Sequence, residues 1–275
     1  MTSFTLLTEH EVRKLIEAMP KKSCALDPMP TPPLVACIDT LLPVLTKIIN
    51  LSLQNGIFAD QWKCALVHPL LKKLGLIFQN FRPVSNLQYI SKLTEKAVFI
   101  QTHGQMVTHN IYPDLQSSYR EHHSTEMALL KVMNDVLLKW NSQHVTLLIL
   151  LDLSAAFDTV DHSILFDRLT KIVGLQGKAH DWFRSYLSGR SQRVVIDGSM
   201  SKEFSLDCGV PQGSCLGPLL FVIYTSSGSL NVTFLKSTPT LMTPTSTLAL
   251  GRVMMMPRMS CIALWKHVLR TFESG

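Results

Sequence analysis

Three carboxylates, Asp152, Asp158 and Asp161, fall close together just after the apolar run Val145 to Leu151. A carboxylate at the end of a rigid strand is held in the place that a metal ion requires. The run is seven residues of Leu, Ile, Val and Thr. That is too short to cross a bilayer and reads as a buried strand. From Val160 the apolar spacing becomes helical, through Ile164, Leu165, Leu169 and Ile172. Asp152 is thus delivered where a strand turns into an amphipathic helix. A helix start also needs a capping side chain, and Asp158 or Thr159 could serve as one. For Asp158 the cap is the preferred reading. Asp152 lies in neither helix nor turn, so capping does not explain it, and Asp161 has no assigned role.

The elements around this turn follow from periodicity and punctuation. Thr8 and Glu11 form a capping box ahead of Val12, Leu15, Ile16 and Met19, with Pro20 ending the helix. The stretch from Ser23 to Pro33 holds four prolines and reads as an extended connector. A second helix is expected through Ile38, Leu41, Leu42, Leu45, Ile48 and Ile49, stopping at Asn55-Gly56. Trp62 to Leu71 reads as a strand, and Ser85 or Asn86 as the cap of a helix burying Leu87, Ile90, Leu93 and Ala97. Ser124 leads into a helix with Ala128, Leu129, Val132, Val136 and Trp140 inward. The adjacent His122 and His123 point in different directions and read as surface or packing residues. Trp182, Phe183, Tyr186 and Leu187 make an aromatic stripe of the kind that forms a core. Two strands, Arg193 to Ile196 and Phe204 to Leu206, are joined through a turn at Asp197-Gly198. Then Gly209 to Tyr224 packs three glycines and two prolines into a loop before a solid apolar block, where glycine permits close backbone approach to a ligand. From Thr225 onward no sustained periodicity is found.

Composition narrows the class. With 46% hydrophobic and 17% charged residues the 275-residue chain has the makings of a core and is not a disordered polymer. The net charge of +6 permits an acidic partner such as nucleic acid without requiring one. No segment reaches the ~20 apolar residues of a membrane span, and the N-terminal residues lack the pattern of a secretory signal. The six cysteines form no C-x-x-C pair, so a zinc framework is not expected, and they read as reduced intracellular thiols.

Two motifs together carry a family resemblance. LLDLSAAFDTVDHSIL (150–165) and GVPQGSCLGPLLF (209–221) resemble palm motifs A and B of reverse transcriptases, most closely those of non-LTR (LINE-like) retrotransposons. DPMPTPPL (27–34), NGIFADQWKCALVHPLLKK (55–73), FRPVSNLQYISKLTEK (81–96) and HHSTEMALL (122–130) occur in the family's order. The resemblance implies an α+β fold of polymerase fingers and palm, with an antiparallel palm sheet backed by helices. It divides the chain into an N-terminal helical region (1–60), fingers and palm (61–224, with motif A in 145–165 and motif B in 209–224) and an irregular, non-homologous tail (225–275). It implies template-directed phosphoryl transfer with two Mg²⁺ ions about 4 Å apart held by carboxylates. The partners would be an RNA template, a DNA primer and deoxynucleoside triphosphates. By the same resemblance Asp152 is a metal ligand assisted by the carbonyl of Leu153. Phe157 matches the steric gate under the incoming sugar, against the plainer reading of a core aromatic. Gln212 and Gly213 match the loop against nucleotide and template. Arg82, with Lys72 or Lys73, matches the residues that neutralise the triphosphate, a task suited to the fixed fork of arginine. The lysines read equally as part of a solvated loop.

Half of that site is missing from the sequence. The family's Tyr-Ala-Asp-Asp hairpin should follow motif B, yet no Asp or Glu occurs between Asp207 and Glu273. One codon choice for Pro239-Thr240-Leu241-Met242-Thr243, CCT ACG CTG ATG ACC, reads Tyr-Ala-Asp-Asp two nucleotides later. In the same phase Val253 to Pro257 can read Asp-Asp-Asp-Ala. These readings lead to the expectation of a reverse transcriptase fragment by descent, frameshifted between Tyr224 and Pro239 and inactive in this copy. The alternatives are a non-catalytic nucleic-acid-binding remnant and a fragment that does not fold stably.

Overall fold

A computed structural model describes residues 1–71, 81–143, 145–152, 156–226, 233–236 and 248–256. In chain order the elements are α1 (Glu9–Ala18), α2 (Thr31–Ala36), α3 (Ile38–Asn55), β1 (Cys64–Leu71), β2 (Phe81–Asn86) and α4 (Tyr89–Thr108). There follow α5 (Thr125–Asn141), β3 (Val145–Asp152), α6 (His162–Lys171), α7 (Gly177–Leu187) and β4 (Arg190–Ile196). The last are β5 (Ser199–Met200), β6 (Phe204–Leu206), α8 (Gly217–Thr225), β7 (Thr233–Lys236) and β8 (Leu248–Met256). The fold is α+β. No helix among the described residues is long and apolar enough to cross a membrane.

The chain forms two compact units, one of residues 1–113 with 155–227 and the other of residues 114–154 with 228–275. In the first, a mixed sheet runs in the order β2-β1-β4-β5, with β6 also paired to β4. β1 is antiparallel to β2 and parallel to β4, with Cys64 opposite Ser191. The turn at Asp197-Gly198, both at positive φ, joins β4 to β5 with Ile196 opposite Ser199. The core of this unit is aromatic. Trp182, Phe183 and Tyr186 of α7 are fully buried, as their stripe predicts. Trp182 stacks on Tyr186 at 5.3 Å between ring centroids, and Phe58 meets both edge-on at 5.4 and 5.0 Å. Each such pair contributes about 0.5–1.5 kcal/mol beyond its buried area. The Trp182 indole N–H donates to Ser52 Oγ of α3 at 3.0 Å, so the one polar atom of the ring is not left unpaired.

In the second unit β3 pairs with β8 and β8 with β7, all antiparallel. Helix α5 packs beside this sheet, and its Ala128 and Val132 are buried. Leu129 and Trp140, expected to face inward, are 49% and 76% exposed. One stripe of a helix can face one small sheet, and α5 is apolar on more sides than that stripe covers.

Three local expectations change. The Thr8–Glu11 capping box forms as read, but the proline-rich connector ends early, because Thr31 already opens α2 with prolines in its first turn. A first-turn amide has no partner to lose, so proline is accepted there. Ser85 and Asn86 do not cap α4; both lie in β2. The Tyr89 amide is instead met by Asp27 Oδ1 at 2.7 Å, a cap supplied from 62 residues away. Finally, α6 is capped by Asp161 and not Asp158. Its carboxylate accepts from the amides of Ser163 (2.7 Å) and Ile164 (3.1 Å). The helix starts at His162, and only the residue directly before it has the extended backbone that aims a side chain at those amides.

Truncating Trp182 to Ala removes four ring contacts, with Phe4, Phe58, Phe183 and Tyr186, and the hydrogen bond to Ser52, so a loss of about 3–5 kcal/mol of stability is expected from equilibrium denaturation. A loss under about 1 kcal/mol would show that the α7 stripe is not the core of its unit.

Candidate functional site

The segment from Gly209 to Gly217, which carries Gln212 and Gly213, meets Phe157 and the turn inside motif A in the first unit. Backbone hydrogen bonds do most of the joining. The Gly209 amide donates to the Val160 carbonyl and the Val210 amide to the Phe157 carbonyl, both at 2.8 Å. His162 Nε2 lies 2.7 Å from the Gly209 carbonyl, and the Cys208 thiol donates to the Asp158 carbonyl at 3.4 Å. On the other side the Ser85 amide of β2 donates to the Gln212 carbonyl at 2.7 Å. Phe157 stacks on Phe221 of α8, 5.2 Å between centroids, with its own side chain partly exposed.

Such close backbone contact needs glycine at two points. Gly209 has φ +84°, and a Cβ there would stand 2.8 Å from the Asp158 carbonyl oxygen. Gly213 has φ +117°, and its Cβ would stand 2.6 Å from the Ser85 carbonyl oxygen. Both obstacles are backbone atoms that cannot swing away.

The far end of the loop is held by a residue that the sequence reading passed over. Glu95 of α4 is fully buried and accepts the Cys215 amide at 2.8 Å, with the Leu216 amide as a second donor and Ser91 Oγ at 3.2 Å. Burial pushes its carboxyl above the usual range, while the charge of Arg190 and these hydrogen bonds pull the other way. Arg190 is itself buried, its Nη1 donating to the Tyr186 carbonyl at 2.9 Å and its guanidinium 4.8 Å from the Tyr186 ring centroid. Burial, then Glu95, pushes the Tyr186 hydroxyl up, and the same two causes in the same order take the Cys215 thiol to about 11. A polar, charged position among Leu93, Ala97 and Val98 on a buried helix was the available signal for Glu95.

A cleft of about 220 Å³ opens beside the loop, lined among others by Pro83, Ser85, His162, Arg190, Gln192 and Gln212. Two buried polar atoms of its lining residues, Arg190 Nη2 and Gln212 Oε1, have no hydrogen-bond partner. A donor and an acceptor left unpaired at a cleft suit a ligand that carries both.

The other residues singled out by sequence are placed as follows. Arg82 lies in β2 opposite Leu70 of β1. Lys72, Lys73 and Leu153 lie outside the described residues. Asp152 is the last residue of β3, in the second unit, with Ala249 of β8 as its cross-strand partner. Neither β7 (TFLK) nor β8 (LALGRVMMM) carries a carboxylate.

Gly213→Ala should lower stability by about 1–3 kcal/mol, because it adds both a strained φ and a clash with β2. Thermal unfolding checks this, and an unchanged midpoint would mean that the loop does not sit against Ser85.

Comparison with known proteins agrees with the two motifs. Residues 71–232 match the family described as reverse transcriptase (RNA-dependent DNA polymerase). The chain is 30% identical over 219 residues to the probable RNA-directed DNA polymerase from transposon BS of Drosophila melanogaster, covering 78% of this chain and 24% of that protein. It is 31% identical over 182 residues to the probable RNA-directed DNA polymerase from transposon X-element of the same fly (66% and 20%). With the RNA-directed DNA polymerase from mobile element jockey the identity is 29% over 223 residues (80% and 24%). The chain therefore spans about a quarter of the length of these curated relatives. The resemblance seen in motifs A and B thus extends over more than half of the sequence, and the chain belongs to the reverse transcriptase (RNA-dependent DNA polymerase) family.

Proposed function

We propose that this chain is the fingers and palm portion of a non-LTR retrotransposon reverse transcriptase, in a copy that retains nucleic-acid contacts and has lost phosphoryl transfer. The observation that carries the reading is the seating of the Gly209–Gly217 segment between the motif A turn and β2. In this reading Gln212 and Gly213 face nucleotide and template, and Phe157 limits the room under the sugar. Arg82 with Lys72 or Lys73 neutralises the triphosphate, and Asp152 with the Leu153 carbonyl binds metal. The fingers and palm correspond to 61–224, after a helical region in 1–60. The unpaired Arg190 Nη2 and Gln212 Oε1 at the cleft support retained binding of a nucleic acid.

The family is generally dependent on divalent metal. A bound pair of Mg²⁺ ions would activate the primer hydroxyl and neutralise the triphosphate. Among the described residues the donors do not fit such a pair. Asp152 ends a strand whose partner β8, and β7 beyond it, offer no carboxylate, and one carboxylate does not make a site that ordinarily uses three. No catalytic step is therefore assigned to the ion here. The cause we propose is a frameshift between Tyr224 and Pro239, which would translate the Tyr-Ala-Asp-Asp codons in the wrong phase. The nucleotide sequence of codons 225–257 should read Tyr-Ala-Asp-Asp in the shifted phase; codons unable to do so rule the frameshift out.

One preparation tests binding and chemistry together. With an RNA template, a DNA primer, deoxynucleotides and Mg²⁺, the protein should bind the hybrid with an affinity that falls as salt rises, and should extend nothing. Extension that disappears in Asp152→Ala would overturn the loss of chemistry. Absence of binding at low salt would overturn the retained contacts.

A further inference from the structure

Every amide at the start of α8 has to find an acceptor, and the loop before it has almost none to give. Leu216, the residue at the cap position, makes no capping hydrogen bond with its side chain. Ser214 Oγ takes the Gly217 amide at 2.8 Å and is itself committed to the Pro211 carbonyl at 2.9 Å. The Cys215 and Leu216 amides are left to Glu95, which comes from α4, 120 residues earlier in the chain. A buried carboxylate is an expensive way to build a core, since an aliphatic side chain would fill the same space without losing hydration. Its acceptor capacity, directed at amides just ahead of a helix, is what an aliphatic residue lacks.

We propose that Glu95 is the positioning residue of the Gly209–Gly217 loop, holding the Cys215 and Leu216 amides and so setting where Gln212 and Gly213 stand. The loop has two anchors of different kinds. Its front half is fixed by backbone contacts to Phe157, Val160 and Ser85, which depend on no side-chain partner. Its rear half depends on one carboxylate. The groups facing that carboxylate are Arg190 from β4, Tyr186 from α7, Ser91 from its own helix, and Cys215 from the loop. Lys92 and Lys96 of α4 act on the same thiol. The charge of Arg190 keeps the ionised form tolerable in a dry site, and burial still raises the carboxyl above its ordinary value of 4.5. A raised folded-state value means that ionisation of Glu95 works against folding. The contribution is fully present below about pH 4.5 and is lost as pH rises through the raised value. The loop is thus held by a buried acceptor whose ionisation costs stability. Its consequence for nucleic-acid binding rests on the function proposed above, whereas the anchoring itself does not.

Amide hydrogen exchange on the full chain, read residue by residue by NMR, tests the anchoring without any ligand. In Glu95→Ala the Cys215 and Leu216 amides should exchange about ten- to a hundredfold faster, while amides of α7 such as Phe183 keep wild-type protection. Glu95→Gln keeps an oxygen in the same place and should restore protection. In the wild type the Cys215 amide shift should move as Glu95 takes up its proton, above pH 4.5, and in Glu95→Gln it should stay flat. Unchanged exchange in Glu95→Ala, a loss spread equally through α4 and α7, or failure of Gln to rescue would each overturn the proposal. Should Glu95→Ala not fold, the wild-type and Glu95→Gln titrations decide alone, and identical profiles overturn it. Failure to bind a hybrid would count against the proposed function and leave the exchange result standing.

Discussion

The first unit depends on one constraint: backbone must lie directly on backbone where the Gly209–Gly217 loop passes the motif A turn. Two carbonyl oxygens, of Asp158 and Ser85, stand within 3 Å of where a Cβ at Gly209 or Gly213 would be. Removing those side chains lets main-chain hydrogen bonds close on Phe157, Val160 and Ser85, at 2.7–2.8 Å. Three segments far apart in sequence are thereby locked together in the first unit. Side chains then adjust around that junction. Phe157 finds Phe221, His162 finds the Gly209 carbonyl, and Glu95 takes the amides that the loop cannot satisfy for itself.

The aromatic core around α7 does a different job. Trp182, Tyr186, Phe58 and Phe183 bury large area with little rotamer freedom to lose, which makes α7 a firm floor. Arg190 follows α7 at once, its guanidinium resting on the Tyr186 ring. Packing therefore passes directly into electrostatics: the core that stabilises the unit also fixes the charge that faces Glu95. Dryness strengthens that interaction and makes the unpaired Nη2 costly.

The second unit separates pairing from chemistry. β3 is hydrogen-bonded along its whole length to β8, Val145 opposite Met256 and Asp152 opposite Ala249. Main-chain pairing asks little of side-chain identity, so a stretch with three consecutive methionines and no acid can complete a sheet. A metal site asks for oxygen donors at fixed points, and pairing alone does not provide them. The strand that ends at Asp152 is thus paired although β8 and β7 carry no carboxylate.

Local pattern determined a good deal by itself. The apolar run ahead of Asp152, the helical spacing after Val160, the Thr8 capping box, the α7 stripe and the glycine–proline loop all became the elements that their spacing implies, because each is governed by neighbours within a turn or two. Motifs A and B also identified the family. What only tertiary structure decided lies where the partner is distant in sequence. Ser85 looks like a cap and is a strand residue, since β1 supplies ladder bonds and Asp27 supplies the cap. Asp161 and not Asp158 caps α6, because one residue of register decides which carboxylate sees the free amides. Glu95 stands out in the sequence only as a charged position among apolar ones on α4, and its use as a buried acceptor is decided by the segment ahead of α8, 120 residues later, whose amide meets it. Pattern records what a residue can do alone; the unmet hydrogen bonds of other segments, which it does not record, decide where that capacity is used.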